Sequence, residues 1–112
     1  MPADTIMLDT GAIYIASLSF LNESNGSEDL TQEIRDEASN HIICFTCSPA
    51  GINVNITDSD GKYPIGLQSE WTCSFTGKVS LRIILRHQPG VKDGTCDPGE
   101  TDVDITFPVV IK

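Results

Sequence analysis

The chain has 112 residues, 39 % of them hydrophobic, which suits one domain with one compact core. Lys and Arg number 7 against 16 Asp and Glu, a net charge of -9. So acidic a chain repels nucleic acid and anionic membrane surfaces, and it favours cations or basic surfaces as partners.

No apolar run reaches the roughly 18 residues of a spanning helix, so no membrane span is expected. Met1-Pro2-Ala3-Asp4 has neither the basic start nor the continuous apolar stretch of a signal peptide.

Taken in order, Asp4–Leu8 reads as a short leading strand. Ala12–Leu21 then alternates. Tyr14, Ala16, Leu18 and Phe20 share one face, and Ile13 and Ile15 the other, as in a strand with a buried side. Asn22–Asp29 is polar, contains Gly26 and reads as a loop. A short helix follows. Asp29 is placed to cap it, and Gln32 stands at capping-box spacing. Leu30, Ile34 and Ala38 recur every four residues as its buried stripe, while Glu33, Arg35, Asp36 and Glu37 face water.

His41–Cys47 is a mostly apolar strand. Beyond Ser48-Pro49-Ala50-Gly51, Ile52, Val54 and Ile56 alternate with Asn53, Asn55 and Thr57. The two runs predict a β-hairpin. Asp58-Ser59-Asp60-Gly61 is a turn, and Pro64–Leu67 an edge segment. Trp71, Cys73 and Phe75 alternate with polar neighbours. After a turn at Thr76-Gly77-Lys78, Val79, Leu81, Ile83, Leu85 and His87 line one face, opposite Ser80, Arg82 and Arg86. In the last strand Val103, Ile105, Phe107, Val109 and Ile111 oppose Asp102, Asp104 and Thr106. Pro108 has no amide to donate, so an edge or bulge is expected there. About seven short strands with one short helix predict an all-β fold, an antiparallel immunoglobulin-like β-sandwich. It occupies residues 1–112 as a single domain. There is no βαβ alternation, no phosphate-binding glycine loop and no repeat.

Cys44, Cys47, Cys73 and Cys96 admit three disulfide pairings. The CxxC of Cys44 and Cys47 lies in a strand, without the helix dipole that activates a redox pair. Cys73 and Cys96 lack the close spacing of a second metal-binding pair. Two structural disulfides in an oxidising compartment are the preferred expectation, and reduced buried cysteines the next.

Nothing in the chain points to catalysis. It has no Gly-x-Ser-x-Gly elbow and no His-Glu-x-x-His motif, and a non-enzymatic protein is expected. Metal binding is better supplied. Asp58-Ser59-Asp60-Gly61 opens like a calcium loop but lacks its later Glu, so a plain turn is the stronger reading. Asp93, Asp97, Glu100, Asp102 and Asp104 crowd the last loop and strand. Asp102 and Asp104, two apart, are expected to converge on one face. His41 and His87, the only histidines, sit at strand ends and are expected to meet at one end of the sandwich. His41, His87, Glu37, Glu100 and Asp102 are the candidate metal ligands, suited to zinc, or with the acids to calcium. Against this stands the simpler reading of His87 as a hydrogen-bonded core residue. Asn22, Asn25 and Asn55 begin Asn-x-Ser/Thr triplets, which carry glycans only in a eukaryotic secreted protein.

Several stretches add a resemblance. Leu30–His41 is an acidic helix closing on a histidine, and Pro64-Ile65-Gly66-Leu67 follows an Asp-rich turn. Leu85-Arg86-His87-Gln88-Pro89 precedes a loop ending Gly99-Glu100-Thr101-Asp102, then Phe107-Pro108-Val109. Together they resemble small secreted or periplasmic proteins of Bacteroidota, often lipoproteins, encoded near TonB-dependent outer-membrane receptors. The cysteines depart from that group's pattern. The resemblance implies a periplasmic, cell-surface or secreted location and an accessory role in nutrient or metal uptake, with a receptor as partner. The expected function is a binding module for a metal ion or metal-bearing ligand. The alternative is a structural or protein-interaction sandwich.

Overall fold

A computed structural model describes residues 5–22 and 28–112, with the backbone alone at 21, 22, 28 and 29. The alternating stretches become strands β1 (Ile6–Leu8), β2 (Ile13–Ser17), β5 (His41–Ser48), β6 (Ile52–Ile56), β7 (Gln68–Cys73), β8 (Gly77–His87) and β9 (Glu100–Ile111). They form a four-stranded sheet, β1-β9-β8-β5, and a three-stranded sheet, β2-β7-β6. The result is the expected all-β sandwich. The strand expected over Ala12–Leu21 ends at Ser17, and two short strands, β3 (Leu21–Asn22) and β4 (Glu28–Asp29), pair across the ends of the stretch expected to be a loop. Asn25 lies outside the described residues, as does the side chain of Asn22. Asn55 stands on the exposed face of β6.

Alternation decides which face each strand buries. Val79, Leu81, Ile83 and Leu85 of β8 are all buried. They pack with Ile43, Trp71, Cys73, Val109 and Ile111 in one core. Phe45 of one sheet meets Trp71 of the other edge to face, with ring centroids 6.3 Å apart. The indole N–H donates to Ser69 Oγ at 2.8 Å, which satisfies a buried donor.

Three local expectations are corrected. β5 and β6 are not a hairpin: β5 pairs with β8 and β6 with β7. Both runs bury one face, so packing them in opposite sheets covers both. The sheets are not wholly antiparallel either, because β1 runs parallel to β9. Finally, helix α1 (Thr31–Asp36) is shorter than its stripe implied. It begins at Leu30 without a side-chain cap, and a 3-10 turn, Ala38–Asn40, carries the chain into β5. Ile34 is its buried anchor. Pro64–Leu67 does touch an edge: Ile43 N–H donates to Ile65 O at 2.7 Å.

Candidate functional site

His41 opens β5 and His87 closes β8, and the antiparallel register sets them directly opposite. Their rings stack, with centroids 4.9 Å apart and planes 26° from parallel. The meeting expected at the sandwich end occurs, between neighbouring strands of one sheet. They line an open cavity of about 460 Å³ with Glu33, Glu37 and Asp102, over Phe20, Leu30, Ile34, Leu85 and Val103.

The 3-10 turn brings Glu37 back over His41. The ring Nδ1 lies 3.1 Å from Glu37 O. A carbonyl only accepts, so Nδ1 carries the proton and donates. In the neutral ring Nε2 then keeps its lone pair. That atom faces Asp102 Oδ2 at 4.0 Å. The gap is too long for a hydrogen bond.

Asp102 reaches the cavity through an irregularity in the sheet. Leu85 pairs with Val103, but the next residue, Arg86, pairs with Thr101. Asp102 is the extra residue of a β-bulge, which re-aims a side chain that strict alternation would send outward. Asp104, on the regular part of β9, goes the other way and chelates Arg82, with Nε at 2.9 Å and Nη2 at 2.6 Å. The expected convergence of Asp102 and Asp104 is therefore overturned. Glu100 is the register partner of His87 but is exposed and does not line the cavity.

Three of the remaining acids, Asp58, Asp60 and Asp93, already have partners. Asp58 accepts from the N–H groups of Gly66, Leu67 and Gln68 at 2.7 to 3.1 Å. Asp60 accepts from Lys62 and Tyr63 N–H and from the Lys92 ammonium. The side chains of Lys92 and Asp60 are 3 % and 6 % exposed. Chiefly through the Lys92 hydrogen bond, the Asp60 carboxyl is held down to a pKa of about 2. The Asp60 carboxylate of that turn is thus already neutralised by a lysine. Asp93 accepts from Thr95 hydroxyl and N–H, which holds its pKa below the usual carboxylate value. No three His, Cys, Asp or Glu side chains among the described residues are arranged to hold a metal ion.

Cys44 is bonded to Cys96, tying the long β8–β9 loop to the outer face of β5. Cys47 and Cys73 are free thiols, so the second disulfide is not formed. Burial pushes the Cys73 thiol up. Arg86 holds the loop's far end. Its Nη2 donates to the carbonyls of Asp97, Pro98 and Gly99, and its Nη1 to Thr101 Oγ1.

Glu33 and the Lys92–Asp60 pair were not singled out from the sequence. Glu33 on α1 and Glu37, the residue that caps its C-terminal end, are four apart, and both line the cavity. Lys92 offers no local signal, since its partner is 32 residues away. Compared with known proteins, the chain matches no family, no curated sequence and no solved structure.

Proposed function

We propose that the protein is a non-enzymatic binding module that takes a divalent transition-metal ion, or a small ligand bearing one, at the His41–His87 end of the sandwich. The observation that carries this is the geometry around His41. Histidine ligands commonly donate their second ring N–H to a backbone carbonyl, which fixes the tautomer and aims the lone pair. His41 has that arrangement through Glu37 O. The 4.0 Å gap to Asp102 Oδ2 is one that a zinc ion about 2.0–2.2 Å from each atom would bridge in a widened angle. Asp102 is on the surface and free to adjust, and rotation of the stacked His87 ring would supply a third donor.

Two histidines and one carboxylate leave a coordination position open. This favours an exchangeable ion or a metal-bearing ligand over a closed structural site. The apolar floor of the cavity suits the body of such a ligand. The Cys44–Cys96 disulfide supports the part of the reading that puts the protein in an oxidising compartment, the periplasm, the cell surface or outside the cell. An accessory role in uptake beside an outer-membrane receptor, as for the Bacteroidota proteins it resembles, fits that placement.

Calorimetric titration of the purified protein with zinc and nickel tests the reading. One ion should bind per chain. His87→Ala and His41→Ala should each abolish binding with the fold retained, and Asp102→Asn should weaken it. If no metal binds, or if the variants bind as well as the parent, the alternative of a structural or protein-interaction module stands instead.

A further inference from the structure

The outer edge of β9 has no part in the site described above. β8 pairs with β9 from Glu100 onwards, but β1 covers only Val109, Val110 and Ile111 on the other side. Among the described residues, no backbone hydrogen bond reaches the outer edge between Thr101 and Phe107. A strand edge of this length presents a row of unpaired N–H and C=O groups, a template for another strand. Pro108 stands where β1 begins, so the lane is closed at that end and open at the other.

Beside this edge lies an apolar cavity of about 240 Å³, lined by Leu18, Phe20, Leu30, Ile83, Val103 and Phe107. Ile105 also lines it and is 37 % exposed. Val103, Ile105 and Phe107 are alternate residues of β9, so the cavity runs along the edge. A strand in the next lane would set its own alternate side chains over the same cavity. At the open end the charge is negative. Glu100 and Asp102 are exposed, Asp102 with its Oδ2 4.0 Å from the His41 ring, and Glu33 and Glu37 line the neighbouring cavity, whereas Asp104 is paired with Arg82.

We propose that the free edge of β9 takes an extended segment of a partner protein as an added strand beside Thr101–Phe107. Its alternate residues are apolar and enter the cavity, and its basic residues lie near Asp102 and Glu37. Backbone pairing supplies the affinity, and the cavity and the acids the selectivity. A second copy of this chain fits poorly. Two chains of charge -9 repel each other on approach. The backbone pairing along the edge does not need the metal ion, although both readings use Asp102.

The probe is a blocked heptapeptide with Val at alternate positions and Lys at the end that meets Asp102. Amide hydrogen exchange read by NMR should show protection gained at Thr101–Phe107 and nowhere else. Methylating the peptide nitrogens that face β9 should abolish binding. Replacing its Lys with Glu, or Ile105→Lys in the protein, should each weaken binding by about tenfold or more. The proposal is overturned if the peptide does not bind, if the N-methylated peptide binds equally, or if protection appears on β2, β5 or β6. It is also overturned if sedimentation shows the protein alone pairing through these residues as a dimer.

Discussion

The Lys92 ammonium lies 2.8 Å from Asp60 Oδ2, with both side chains buried, and also donates to Ala38 O at 2.9 Å. One cation thereby joins the β8–β9 loop, the Asp58–Gly61 turn and the 3-10 turn beneath His41. Removing either partner leaves the other charge buried and unpaired. Asp60→Asn or Lys92→Met should cost about 3 kcal/mol or more. The double variant should lose less than the sum of the two. Urea unfolding of the four proteins measures this coupling.

The same pair sets an acid limit. The Asp60 pKa is lowered from 3.8 to about 2 in the folded protein, so folding favours the ionised form. Its contribution is fully present above pH 3.8 and is lost as pH falls through the region of 2. The stability difference between the parent and Asp60→Asn should therefore shrink steadily over that window. A difference that is constant with pH would refute the assignment.

Non-reducing mass spectrometry should show one disulfide, a mass lower by two hydrogens. Of the two thiols, the partly exposed Cys47 should alkylate before the buried Cys73, whose raised pKa also slows it. Replacing Cys44 and Cys96 by Ala opens a link across 52 residues of sequence. The chain-entropy account puts the loss at about 4 kcal/mol for a loop of that length.

Gly99 has φ +85°, and a Cβ there would run into the His87 carbonyl. Gly99→Ala should destabilise the protein by roughly 2 kcal/mol or more, through left-handed strain and backbone collision. It should also weaken metal binding, because β9 must shift where Glu100 meets His87. Gly90→Ala is the control. It has a similar φ, +73°, but nothing within 4 Å of the new carbon, so it should cost less and leave binding alone.

Zinc at about 100 times its dissociation constant should add about 2.7 kcal/mol of stability. A thermal melt with and without the ion reads this directly, and His87→Ala should erase the increment.

Strand positions and their buried faces were legible locally. A side chain in an extended chain points to the opposite side from its neighbour, so the run from Val79 to Leu85 declares its own inner face. The acidic balance and the scarcity of histidine likewise needed no structure. Alternation names a face, however, and never a partner. Only tertiary structure put β5 and β6 in different sheets, ran β1 parallel to β9 and brought Cys44 to Cys96. Register alone made His41 and His87 neighbours. One bulged residue turned Asp102 towards them while Asp104 went to Arg82. A single extra residue reverses the side that alternation assigns, and the lysine that neutralises Asp60 comes from a distant loop. Such pairings depend on contacts between segments far apart in the chain, which no local pattern records.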